Sequence, residues 1–153
     1  MPSKPKKTGS ATERELVHKL WQAGFAVIRA PSSGAGARRI FYPDVVAMYK
    51  GAIFVFEVKR RVKSTTIYLD KTKISRLLDF AERAGGKALL AVKTSKHWLL
   101  LDLNKLIDTQ KDADANNKLR IRLDQLNNAI TINEFITVIK NKPLINYMRK
   151  ESS

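Results

Sequence analysis

Asp44, Glu57 and Lys59 are the side chains of this 153-residue sequence whose types and spacing best suit them for chemistry. Residues 44–49 and 52–61 are two β-rich runs separated by Lys50-Gly51, a pair suited to a two-residue hairpin turn. With that turn Tyr49 faces Ala52, and the same register sets Asp44 opposite Glu57, with Cβ atoms about 4.5–5.5 Å apart. Lys59, two positions past Glu57, falls on the same face. Two facing carboxylates repel, and burying either one uncompensated is costly. Three remedies are open: one carboxyl keeps its proton, a divalent cation sits between the two, or Lys59 or a nearby arginine neutralises the pair in a salt bridge. Oxygen ligands without histidine or cysteine beside them suit Mg²⁺, with Mn²⁺ as a substitute. A hard cation between carboxylates and a phosphate is a common route to phosphodiester hydrolysis.

The charge points to the same chemistry. Lys and Arg number 29 against 14 Asp and Glu, for a net +15. Residues 1–103 hold 20 of those basic and 8 of those acidic side chains, so a polyanion is expected to bind there. Arg60, Arg61 and Lys63 directly follow the Glu57-x-Lys59 run and read as phosphate contacts. A hydrophobic fraction of 44% and a charged fraction of 28% exclude a mostly disordered or fibrous chain. No apolar run is long enough for a membrane span, and the basic, polar first ten residues do not read as a secretory leader. The expected location is therefore cytoplasmic, on the nucleoid. Zero cysteines exclude disulfides and thiolate metal sites. His18 and His97 are too far apart in sequence to suggest a histidine cage.

Positioning these groups requires a mixed α/β core. Residues 1–9 read as a flexible basic tail. Ser10-Ala11-Thr12-Glu13 reads as a capping box opening a helix with an apolar stripe of Leu16, Val17, Leu20 and Trp21, closed by Gly24. Glu13 shares that inward stripe, whereas Glu15 points away; at a helix N-terminus Glu13 is expected to stay ionised. A strand over 25–30, a Ser/Gly/Arg loop over 31–40, and the hairpin follow. Both hairpin strands are apolar on both faces, as in a covered sheet. Residues 71–84 read as an amphipathic helix ended by Gly85-Gly86, then strands over 87–92 and 97–102. Trp21 and Trp98 are expected in the core. Residues 10–103 form one expected domain. Residues 104–153 read as an appendage packed on or extending it, with a loop over 109–118 and a helix over 131–141 capped by Thr131.

Pro43-Asp44, twelve residues, then Glu57-Val58-Lys59 resembles the core of the PD-(D/E)XK nuclease superfamily. The wider text is more specific. Gly9-Ser10-Ala11-x-Glu13-Arg14, Gly24-Phe25-Ala26-Val27-x-Arg29-Ala30-Pro31-x-Ser33-Gly34, Ile67-Tyr68, Phe80-Ala81-x-x-x-Gly85-Gly86 and Ala91-Val92-Lys93 resemble archaeal-type Holliday junction resolvases over about residues 9–103. The resemblance implies a single restriction-endonuclease-like α/β domain with a mixed central sheet flanked by helices. It also implies a homodimeric, Mg²⁺-dependent endonuclease that resolves four-way DNA junctions by paired symmetric nicks. Asp44, Glu57 and the Val58 carbonyl would be metal ligands, and Glu13 would hold the metal or its water. Lys59 would steady the attacking hydroxide or the transition-state charge. Arg14, Arg29 and Ser33 would contact the DNA backbone or support the site, and Arg38 and Arg39 in the loop join the DNA-binding set. Lys73 stands near where many superfamily members carry a glutamine.

Two other functions share these features. One is a repair or restriction-type nuclease of the same fold acting on other DNA structures. The other is a non-catalytic DNA-binding module. Recombination or replication proteins as further partners are not readable from the residues.

Overall fold

The computed structural model describes residues 5–31, 40–63, 66–109, 116–125 and 129–142. Ser33, Arg38 and Arg39 lie outside them. Helix α1 (Pro5–Gln22) leads to strand β1 (Ala26–Arg29), and the hairpin follows as β2 (Val45–Tyr49) and β3 (Ala52–Arg60). Strand β4 (Thr66–Asp70) precedes α2 (Lys71–Ala84), β5 (Lys87–Lys93) and β6 (Trp98–Asp102). Helix α3 (Leu103–Thr109), β7 (Lys118–Arg122), β8 (Ile130–Thr131) and α4 (Ile132–Asn141) complete the order.

Six strands form one mixed sheet in the order β1-β2-β3-β5-β6-β8. Its β3–β5 pair is parallel and its other pairs antiparallel. Both faces are covered, which explains why the hairpin strands are apolar on both sides. On one face α1 and α4 bury Leu16, Leu20, Phe135 and Ile139 against Val45, Phe54, Phe56 and Trp98. Phe54 meets Phe135 edge-on at 4.9 Å between ring centres, a favoured aromatic geometry. On the other face α2, α3 and a separate two-stranded β4–β7 ribbon bury Ile74, Leu77, Leu106, Ile67 and Ile121 against Val55, Leu90 and Val92. Phe80 is half-buried against this second core. No described helix is long and apolar enough to cross a membrane.

The hairpin has the expected register: Tyr49 pairs Ala52 and Val45 pairs Phe56. Lys50 and Gly51 both have positive φ, 45° and 88°, as a two-residue hairpin turn of this type requires. Helix α2 also lies where its periodicity puts it, with Asp70 as N-cap and left-handed Gly85 as C-cap. Thr131 caps α4 by accepting from the Glu134 N–H at 3.2 Å.

Three expectations are corrected. Helix α1 begins at Pro5, inside the stretch read as a flexible tail, so Ser10 is not its N-cap. Proline suits a first helical turn because its missing N–H is not needed there. Trp21 is 64% exposed rather than in the core, because it lies one turn beyond Val17 and outside the face that Leu16 and Leu20 bury. Beyond residue 103, β7 pairs β4 and β8 pairs β6, two strands that the sequence reading lacked along with β4 itself.

Gly86 fixes the start of β5 against β3. A Cβ there would collide with the Ile53 carbonyl oxygen and come within 2.9 Å of the Ile53 carbonyl carbon, both rigid backbone atoms. Gly86→Ala is expected to destabilise the fold by about 2 kcal/mol, measured as a lower denaturant midpoint with an unchanged slope.

Candidate active site

The site forms at the end of the sheet where β1 stops, β2 starts and β3 runs on. Glu57 has the same parity as Val55 and so faces α2, and its side chain is 5% exposed. Asp44 lies one residue before the first paired residue of β2. Its Oδ2 accepts a hydrogen bond from the Val58 N–H at 2.9 Å, so the carboxylate itself extends the β2–β3 pairing beyond the regular strand. Asp44 and Glu57 thus meet across the hairpin as the register requires.

Two lysines answer the Glu57 charge. Lys73 Nζ, from the first turn of α2, lies 2.8 Å from Glu57 Oε1, and Lys59 Nζ lies 3.5 Å from the same oxygen. Glu57 Oε2 is buried with no hydrogen-bond partner. Burial first, and then the Asp44 charge, push the Glu57 carboxyl above the usual carboxylate range, against the pull of Lys73 and Lys59. Burial works against the Lys73 charge, yet Glu57, Asp44 and Glu13 together hold it above an ordinary lysine.

Glu13 reaches the cluster from α1. Its Oε2 lies 3.4 Å from Arg29 NH1, and it is one of the charges felt by Lys73. Because α1 starts at Pro5, Glu13 is past the first turn and lacks the dipole assistance expected of a cap position. Burial and then the Asp44 charge raise its pKa, opposed by Arg29 and Lys73.

Ser10 also has a different job from the one its motif suggests. Its Oγ accepts from both Arg14 NH2 and Arg29 NH1, each at 2.8 Å, pinning two guanidinium groups beside Glu13. Arg60 and Lys63 are exposed at and beyond the end of β3, and the Arg61 N–H donates to the Lys93 carbonyl at 2.8 Å. Glu15, which the sequence reading turned away from the site, joins α1 to the sheet by accepting from Lys93 Nζ at 2.7 Å and Trp98 Nε1 at 3.3 Å.

Lys73 is the member of this site that motif reading did not assign. The signal available was its position three residues past the α2 N-cap, on the helix that returns the chain to β5. Its pairing with Glu57 is a tertiary fact. A cavity of about 250 Å³ opens from Glu57, Lys59 and Lys73 toward Tyr68, Asp70 and Lys118.

The site suits a hard divalent cation in donor type, with two neighbouring carboxylates, Asp44 and Glu57, rather than a complete cage. It offers carboxylate oxygens with no sulfur or imidazole, and a buried Glu57 oxygen free of hydrogen bonds. Among the described residues no three Asp, Glu, His or Cys side chains are close enough together to hold a metal ion. Lys73 occupies the other Glu57 oxygen.

Comparison with known proteins gives consistent matches. The profile described as "Archaeal holliday junction resolvase (hjc)" matches residues 4–144. A crossover junction endodeoxyribonuclease Hjc from Sulfurisphaera tokodaii is 33% identical over 137 residues, covering 90% of this chain and 91% of the relative. The protein of that name from Sulfolobus acidocaldarius is 40% identical over 105 residues, covering 69% and 73%. The solved structure of Archaeoglobus fulgidus Hjc, a Holliday junction resolvase, superposes with a TM-score of 0.70 at 27% identity, covering 84% of this chain and 99% of that one. The mixed sheet with flanking helices is therefore the fold of that neighbour.

The raised Glu57 pKa gives a signed expectation. A carboxyl raised in the folded state contributes stability below its unfolded pKa and loses it as pH rises through the folded value. Glu57→Gln, which imitates the protonated acid, is expected to raise the metal-free thermal midpoint at pH values where the parent Glu57 is ionised. The gain should vanish as pH falls through the range where the parent Glu57 takes up its proton, which differential scanning calorimetry at several pH values would follow.

Proposed function

The chain belongs to the archaeal Holliday junction resolvase family, and on that footing we propose that it is a structure-selective endonuclease hydrolysing phosphodiester bonds in two opposed strands of a four-way DNA junction. The observation that carries this reading is the buried Glu57 carboxylate facing Asp44 across the hairpin, with Lys59 and Lys73 on one of its oxygens. A salt bridge built for stability alone would not leave the second buried oxygen without a partner.

Nucleases of this family use a divalent metal, and Mg²⁺ is our assignment. Asp44, Glu57 and the Val58 carbonyl would hold it, with Glu13 holding the ion or its water. Bound there, such an ion lowers the pKa of a water molecule and neutralises charge on the phosphate. Lys59 presents a cation where negative charge develops on the phosphate oxygens. Arg29, steadied by Ser10 and Glu13, places a second cation at the rim. Lys73 keeps the Glu57 carboxyl from standing uncompensated before a ligand arrives.

DNA would be gripped mainly by its phosphates, through Arg14, Arg29, Arg60, Arg61 and Lys63, with Ser33, Arg38 and Arg39 assigned to the same role from the resemblance alone. Affinity for such contacts falls steeply with salt. A homodimer would supply two such centres related by a two-fold axis, matching the approximate symmetry of a junction. The substrate implies a cytoplasmic, nucleoid-bound location.

The test is strand-specific cleavage of a synthetic four-way junction with and without Mg²⁺. Paired nicks at symmetric positions, dependent on Mg²⁺, are expected. Equal cutting of the isolated linear arms would instead indicate a nuclease of broader substrate range, and binding without cutting a DNA-binding module. Glu57→Gln and Lys59→Ala should each lower cleavage by at least 100-fold, on the order of a lost electrostatic or metal-binding group, while junction binding changes only a few-fold.

A further inference from the structure

The β4–β7 ribbon lies outside every assignment made above. Its two strands pair antiparallel, with Thr66 opposite Arg122, Tyr68 opposite Arg120 and Asp70 opposite Lys118. Facing residues share a side of a ribbon, so these six side chains form its outer face. The alternate residues Ile67, Leu69, Leu119 and Ile121 are buried in the second core. Strand β7 therefore alternates basic and apolar along its whole length, Lys-Leu-Arg-Ile-Arg, with every outward side chain a cation.

Solvation alone would be served equally well by residues of mixed sign. An exposed strand does commonly carry lysine to resist edge pairing, but here two of the three are arginines aimed off the face beside an exposed tyrosine, 49% accessible. Arginine with an aromatic neighbour suits phosphate and base contact. Two acids temper the face without cancelling it. Asp70 is committed to capping α2, accepting from Thr72 N–H at 2.8 Å, and Asp124 makes an exposed pair with Arg122 at 3.2 Å.

Continuity with the candidate active site gives the face a direction. Tyr68, Asp70 and Lys118 line the same cavity as Glu57, Lys59 and Lys73. At the other end, Thr66 follows Lys63 by three residues in the chain, and strand pairing sets Arg122 opposite it. The ribbon thus bridges the cavity and the basic end of β3.

We infer that the outer face of the β4–β7 ribbon is a DNA-backbone track, on which Arg120 and Arg122 hold phosphates of the strand that enters the cleavage cavity and Tyr68 packs against its sugar or base. This rests on the nuclease reading for its direction, but binding can be measured without cleavage.

The experiment is fluorescence anisotropy of a labelled four-way junction with the full-length protein, in EDTA, over a range of salt. The double change Arg120→Ala with Arg122→Ala is expected to weaken binding about tenfold and to reduce the slope of log affinity against log salt by about two, one per lost phosphate contact. Arg120→Lys with Arg122→Lys should largely retain the slope, and Tyr68→Ala should weaken binding without changing it. Unchanged affinity and slope in the alanine double variant would overturn the inference. So would weaker binding explained by a shift to smaller species in sedimentation velocity, which would make the face a contact between copies of the chain. Should the double variant lose its far-UV circular dichroism, Arg120→Gln alone is read instead, with a slope change of about one expected. If the parent protein binds the junction yet never cuts it, the nuclease reading falls and the ribbon inference is still decided by the binding data.

Discussion

The hydrogen bond from the Val58 N–H to the Asp44 carboxylate sets the geometry on which the rest of the site depends. The two-residue turn at Lys50-Gly51 counts the register, and that bond carries the pairing one step past the last regular residue. Glu57 is thereby held beside a second negative charge and beneath α2, where water is largely excluded. Repulsion and burial both favour the protonated acid, while Lys73 and Lys59 favour the anion. The net effect lies above the usual carboxylate range, with burial the largest cause. Such an unrelieved site is held in place by two well-packed cores, one on each face of the sheet, rather than by its own contacts.

Much of this was legible in the residues because it is local. A glycine-containing turn pair between two apolar runs fixes a register, and the register alone brings Asp44 to Glu57. Helix α2 announces itself by periodicity and by glycines at its end, and α4 by the Thr131 cap. What stayed hidden depends on distant partners. Strands β4 and β7 are five residues each, and each acquires a buried side only by pairing with the other and lying on the second core. Ser10 and Glu13 satisfy a capping-box pattern, yet Pro5 starts the helix earlier and releases Ser10 to hold two arginines. Trp21 continues an apolar stripe by periodicity, but the face buried against the sheet is narrower than the stripe.

The charged groups divide according to which layer supplies them. Helix α1 and β1 bring Glu13, Ser10 and Arg29 as one hydrogen-bonded set, whereas α2 brings Lys73 from the opposite face. Glu57 and Asp44 stand between the two sets at the end of the sheet. Glu15 secures the first set from behind through Lys93, whose ammonium also lies 5.7 Å from the Trp98 ring centre. The orientation of α1, and with it of Glu13, is therefore tied to the β5–β6 pair as well as to the hairpin on which Leu16 and Leu20 pack.

Strand β3 meets β5 in parallel, and a parallel neighbour cannot be reached by a tight turn. The chain must first travel through β4 and α2 before β5 can dock. During synthesis, a ribosome-bound segment ending before residue 71 could already close the β2–β3 hairpin, because that pairing is short-range. It would still leave Glu57 hydrated, with the acidity of an ordinary glutamate and without Lys73. The order in which the polypeptide emerges thus withholds the sheltered carboxylate until the crossover is complete.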